Sequence, residues 1–154
     1  MKLREVLTTT LVSQLTLKAV PILGSGDSVA EAADQMRSHS HGSALVCDNG
    51  KLVGVFTERD LLRVIAAGKP LSIPLSEVMT TQPRTVTSDD KLLTVIQLLD
   101  QGGYRRLPVV DRTGGPVGIV DVKTVSHFLV EHFPAGVYNQ TSHALQNSRN
   151  REGA

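Results

Sequence analysis

The sequence predicts an α/β fold of the α+β kind, made of two small β-α-β-β-α units packed through their sheets. A repeat is the first reason. Glu5-Val6-Leu7-Thr8-Thr9 returns as Glu77-Val78-Met79-Thr80-Thr81, Ala44-Leu45-Val46-Cys47-Asp48 as Leu107-Pro108-Val109-Val110-Asp111, and Gly54-Val55-Phe56 as Gly118-Ile119-Val120. The order of these landmarks is the same in both copies, which marks one structural unit used twice. The second reason is periodicity, which runs from helical to strand-like and back within each copy. Each unit alone leaves an apolar sheet face uncovered, and pairing the units buries both.

In the first copy, a short strand is expected near Ile22. Ser28-Val29-Ala30-Glu31 has the residues of a reciprocal N-terminal cap, a side-chain oxygen at the first position and a glutamate three later. Val29, Ala32, Ala33 and Met36 then form one apolar stripe at helical spacing. Leu45-Val46-Cys47 and Val53-Gly54-Val55-Phe56 flank Asp48-Asn49-Gly50, the signature of a β-hairpin. A helix from about Glu58 to Ala67 stops at Gly68-Lys69-Pro70. The second copy opens with a strand near Thr85-Val86. Its helical stripe is Leu92, Val95, Ile96 and Leu99, ended by Gly102-Gly103. Its hairpin joins Pro108-Val109-Val110 to Val117-Gly118-Ile119-Val120, and its last helix runs from Val122 to about His132, stopping near Pro134. These landmarks set the expected units at residues 5–75 and 76–134. Residues 135–154 are polar and are expected to be disordered.

The chain has 154 residues with 16 basic and 15 acidic side chains. That balance gives no field favouring nucleic acid or an anionic membrane, so neither is an expected partner. Apolar runs are too short to span a bilayer, and MKLREVL lacks the apolar core of a signal peptide. Cys47 is the only cysteine, which excludes an internal disulfide and fits a cytoplasmic protein.

Leu-Pro-Val-Val-Asp followed by a glycine-bearing turn and Gly-Ile-Val, together with Gly-Val-Phe-Thr-Glu-Arg-Asp-Leu-Leu, resembles the cystathionine-β-synthase (CBS) motif. Two such motifs in tandem, over roughly Glu5 to Phe133, look like a CBS pair, or Bateman module. The resemblance implies pseudo-twofold symmetry between the units, an adenosine-containing regulatory ligand and no catalytic cofactor. It also implies dimerisation and a sensing role towards an enzyme or transporter.

The polar residues allow two readings. Thr57 and Asp60 can cap the helix after the first hairpin. A carboxylate there can also accept both hydroxyls of a ribose diol, and the resemblance gives Asp60 and Thr57 that role. The second copy has Asp121 and Thr124 instead. Asp121 still caps, but Thr124 lacks the carboxylate charge, so one well-formed nucleotide site is expected. The resemblance assigns phosphate contacts to Arg105, Arg106 and Lys123, with Lys123 facing the Thr57/Asp60 site from the opposite unit. Arginine geometry suits bidentate phosphate binding. The resemblance places the adenine slot at Pro83, Arg84 and Thr85, with Val55 on its wall and Phe56 assigned to the core. His41 could approach a phosphate in the second site. His39 and His41 lack acidic or cysteine partners at metal spacing, and His127 and His132 fall on different helix faces, so no metal site is expected. Cys47 reads as a small buried hydrophobe. Gly24-Ser25-Gly26 lacks the Lys-Ser/Thr ending of a P-loop. There is no nucleophile–base–orienter set, so no enzyme is expected. The leading expectation is a stand-alone regulatory pair binding AMP, ADP or ATP. The alternatives are an S-adenosylmethionine binder and a ligand-free docking module.

Overall fold

A computed structural model describes residues 2–132. The expectations for Pro134 and for residues 135–154 lie outside the described residues. In chain order the elements are α1 (Leu3–Thr9), a 3-10 turn (Val12–Gln14), β1 (Ile22–Leu23), α2 (Val29–Ser38), β2 (Ser43–Asp48), β3 (Lys51–Thr57) and α3 (Glu58–Ala66). Then come a second 3-10 turn (Leu75–Glu77), β4 (Thr80–Thr81), β5 (Val86–Thr87), α4 (Leu92–Gln101), β6 (Arg106–Val110), β7 (Pro116–Asp121) and α5 (Val122–His132).

Local chemistry explains the boundaries. The Ser28 hydroxyl accepts from the Glu31 amide at 3.1 Å and the Glu31 carboxylate from the Ser28 amide at 3.4 Å, the reciprocal cap expected at the start of α2. Asn49 and Gly50 take φ of 53° and 77°, the left-handed pair that a two-residue hairpin turn requires. Both hairpins carry an irregularity at the same place, between Val46 and Cys47 and between Val109 and Val110.

The repeat is not copied uniformly. Glu5-Val6-Leu7-Thr8-Thr9 is helical, with the Thr8 and Thr9 hydroxyls donating back to main-chain carbonyls one turn earlier. Glu77-Val78-Met79-Thr80-Thr81 leaves a 3-10 turn begun by Pro74 and becomes strand β4, pairing antiparallel with β3. The first sheet therefore has the order β1-β2-β3-β4 and the second β5-β6-β7. In both, the first strand is parallel to its neighbour and the hairpin antiparallel.

Three apolar clusters hold the molecule together. One fills the first unit, between α2, α3 and the sheet, with Phe56, Val46 and Leu75. A second fills the other unit with Leu92, Val95, Leu107 and Val120. The third, Leu45, Val55 and Ile119, joins one hairpin to the other. Strand alternation sends Phe56 into its own unit and Val55 towards the partner unit. Val6, Val12 and Leu15, which come first in the chain, are buried in the second unit's core. The Val12 amide donates to the Asp90 carbonyl at 2.9 Å and the Leu92 amide to the Thr10 carbonyl at 2.8 Å, tying this segment down.

Two glycines at matching strand positions explain how these crossing segments fit. A Cβ at Gly54 would lie 2.5 Å from Met79 Sδ and 3.0 Å from the Thr80 carbonyl; one at Gly118 would lie 3.1 Å from Leu17. Each glycine lets a connecting segment cross its strand at close range.

Candidate functional site

The ends of β3 and β7 carry mirrored hydrogen-bond boxes. At the first, the Thr57 amide and hydroxyl both donate to Asp60 Oδ2, at 3.0 and 3.1 Å, and the Asp60 amide donates to Thr57 Oγ1 at 3.3 Å. At the second, the Thr124 amide and hydroxyl donate to Asp121 Oδ1, at 2.9 and 3.0 Å, and the Asp121 amide donates to Thr124 Oγ1 at 3.4 Å. The exchanged residues thus make the same three bonds in reverse. What differs is where the carboxylate stands. Asp60 is in the first turn of α3, 7% exposed, and its Oδ1 faces Arg63 across a long 3.7 Å ion pair. Asp121 stands at the strand end, opposite Arg106 in the β6–β7 register.

Each box borders a cleft whose walls come from both units. The first cleft, about 380 Å³, has Val55, Thr57, Pro83 and Arg84 on one side and Arg105 and Arg106 of the second unit on the other. The second, about 360 Å³, has Ile119, Asp121, Thr124 and Lys123 facing Lys18 and His41 of the first unit. Between them lies a recess of about 520 Å³ that contains Arg105, Arg106, Lys18, His41 and Lys123. Among the described residues, no carboxylate lies within ion-pair distance of these arginines or lysines. His41 is held below the ordinary imidazole pKa chiefly by burial and then by Arg106, with Lys18 adding to the effect and Asp121 opposing it. Its Nδ1 accepts from the Ser43 amide at 3.2 Å, a bond that only the ring with a bare Nδ1 can make.

Comparison with known proteins identifies this architecture. The family model for the CBS domain matches residues 12–67 and again residues 75–131. The chain belongs to the CBS domain family. It is 30% identical over 123 residues to an uncharacterised 17.7 kDa protein of Acidianus ambivalens, covering 79% of this chain and 74% of that one. It is 37% identical over 102 residues to the CBS domain-containing protein YhcV of Bacillus subtilis, covering 66% and 72%. It also matches CBSCBSPB1 of Arabidopsis thaliana, 33% identical over 123 residues, but spans only 23% of that longer protein. Among solved structures, the CBS pair of MJ0100 in complex with 5'-methylthioadenosine and S-adenosyl-L-methionine superposes with a TM-score of 0.70 at 28% identity, covering 80% of this chain and 98% of that one. CBSX2 in complex with AMP superposes with a TM-score of 0.70 at 25% identity, covering 79% and 96%. The α+β fold of two repeated units is that of the CBS pairs.

Within this CBS pair, the residues singled out from sequence are distributed as follows. Val55, Thr57, Pro83, Arg84, Arg105 and Arg106 share the first cleft. Thr85 and Asp60 are not among its lining side chains; Thr57, bonded to Asp60, is. Lys123 is not on that wall either. It comes two residues after the β7 end that pairs with β6, which puts it over the second cleft and across the recess from Arg105 and Arg106. Phe56 is fully buried in the first unit's core. Cys47 is half-buried beside the cluster joining the hairpins, and burial raises its thiol pKa. His127 pairs with Glu131 at 3.0 Å, while His132 stacks on Phe128.

Sequence reasoning passed over Tyr104, which lines the first cleft and the recess, and Lys18, which lines the recess and the second cleft. Tyr104 directly precedes the arginine pair, so adjacency was an available signal. Lys18 lies in the extra residues after Thr9, where the second repeat offers nothing to align.

Proposed function

We propose that this CBS pair is a regulatory module that binds an adenine nucleotide, AMP, ADP or ATP, in the first cleft and acts as an energy or metabolite sensor. The observation that carries the reading is the Arg105–Arg106 pair, unpaired among the described residues and facing Thr57 across the cleft. Two guanidiniums with no carboxylate in ion-pair contact favour a ligand with phosphates. Asp60 supplies the diol acceptor. Its Oδ1 is engaged by Arg63, an exposed side chain whose 3.7 Å separation is too long for a strong charge-assisted bond, so a ribose displaces it at small cost. Pro83 and Arg84 opposite Val55 provide a slot for the base. CBSX2, solved with AMP, supports the adenosine assignment.

Because both units wall the cleft, occupancy favours one angle between them, to the extent that the ligand prefers that angle. The output is a change of shape without a chemical step, passed to an enzyme or transporter in the cytoplasm. Leu62 and Ile65 on α3 and Val122 on α5 are apolar and exposed, which supports a homodimer formed through these helices; light scattering tests that.

Titration calorimetry on protein unfolded, stripped of carried-over ligand and refolded decides the main reading. AMP, ADP or ATP should bind, and Asp60→Ala should weaken the binding with the fold intact. The absence of binding by every nucleotide would overturn the proposal in favour of a docking module. MJ0100, solved with methylthioadenosine and S-adenosylmethionine, motivates a second reading, so both compounds belong in the panel. Methylthioadenosine has no phosphate, and tighter binding of it than of AMP would select that reading.

A further inference from the structure

The recess between the clefts is connected to both. It shares Arg105 and Arg106 with the first cleft and Lys18, His41, Lys123 and Asp121 with the second. Four permanently cationic side chains from three segments meet one carboxylate there, in a chain whose formal net charge is only +1. That carboxylate is partly spent, since Asp121 Oδ1 already accepts twice from Thr124. Arg106 lies against the other unit: a Cβ at Gly42 would come within 3.0 Å of its Nη2 and 3.2 Å of the Glu58 carboxylate, which borders the first cleft without pairing with Arg106. His41, with Nδ1 taken by the Ser43 amide, has only its other ring nitrogen to offer the recess. Arg37, Glu58 and His127, on the flanking helices, and Tyr104 are the remaining titratable groups that share a wall with His41.

We infer that this recess is a single seat for a phosphate chain, built jointly by both units, which di- and triphosphate ligands of the two clefts must share. One chain neutralises the uncompensated cations. Two would crowd like charges within a few ångströms, where repulsion is strong. The clefts are therefore antagonists towards nucleotides that carry a phosphate chain, and independent towards nucleosides. The sharing rests on the nucleotide reading above, but the seat can be tested without it.

The probe is inorganic tripolyphosphate, titrated into the stripped full chain. A single equivalent should bind, displacing ATP but leaving adenosine in place. The double variant Lys18→Ala/Lys123→Ala should weaken tripolyphosphate about 10-fold or more, with an unchanged melting profile reporting an intact fold. If that variant melts early, Arg105→Ala provides the same reading from the other wall. Failure of tripolyphosphate to bind where ATP binds overturns the inference, as does ATP saturating both clefts of one chain together. Tripolyphosphate binding to a chain that takes no adenosine compound would leave the seat standing and remove the nucleotide reading instead.

Discussion

The two clefts have nearly the same backbone and different chemistry. At the first, a threonine ends the strand and the aspartate lies one turn into α3; at the second the order is reversed. The three bonds of each box are conserved in kind, so helix initiation does not distinguish the clefts. The cross-unit partner does: Arg106 at the head of β6 corresponds in register to Ser43 at the head of β2. An exposed arginine projects where its counterpart is a fully buried serine whose hydroxyl finds no partner. A repeat can thus keep its scaffold while its two sites diverge, because capping needs only an acceptor and a donor three residues apart.

The strongest way to break this comparison is Arg106→Ala. AMP affinity at the first cleft should fall about 10–100-fold, while Lys18→Ala leaves it near wild type; equal losses in calorimetry would show that the clefts are not distinct. Next comes Gly54→Ala, which should cost about 1–2 kcal/mol in urea unfolding because the Thr80 main chain cannot retreat. Gly118→Ala should cost less, since the neighbouring Leu17 side chain can turn away. The double exchange Thr57→Asp/Asp60→Thr sharpens the contrast further. It gives the first cleft the second's box, so stability should stay within about 1 kcal/mol while AMP affinity drops about 10-fold through loss of the diol acceptor. Retained affinity would mean that Asp60 serves capping alone.

The smallest effect concerns His41. Its folded pKa is depressed, so the unfolded chain binds more protons and stability rises with pH across the titration window. Stability should therefore decline as pH falls from about 6.5, by less than about 1 kcal/mol per pH unit for a partly buried group. His41→Asn, which keeps an acceptor for the Ser43 amide, should flatten that slope in melts between pH 5 and 7.

The sequence already contained the repeat, both hairpins and the reciprocal cap at Ser28, because each depends on residues within a few positions of one another. The Arg105–Arg106 pair was visible for the same reason. Strand β4 was not, since Thr80 and Thr81 are drawn into a strand by the free edge of β3 rather than by their own pattern. The place of Lys123 at the recess and the second cleft was not legible in the motif, because its neighbours are set by the pairing of Arg106 with Asp121, a contact between distant parts of the chain. Lys18 was hidden by the extra residues that disrupt the repeat.

The burial of Val6, Val12 and Leu15 in the second unit has a consequence for how the chain is made. These residues leave the ribosome about a hundred residues before Val109, Val120 and Phe128, which share their core. At bacterial-to-eukaryotic rates of about 5–20 residues per second, this apolar segment waits on the order of 10 s for its partners. The first unit can close meanwhile, because Leu75 and Met79 follow it directly and pack onto it. Maturation of the nascent chain is thus ordered, with the opening segment captured last.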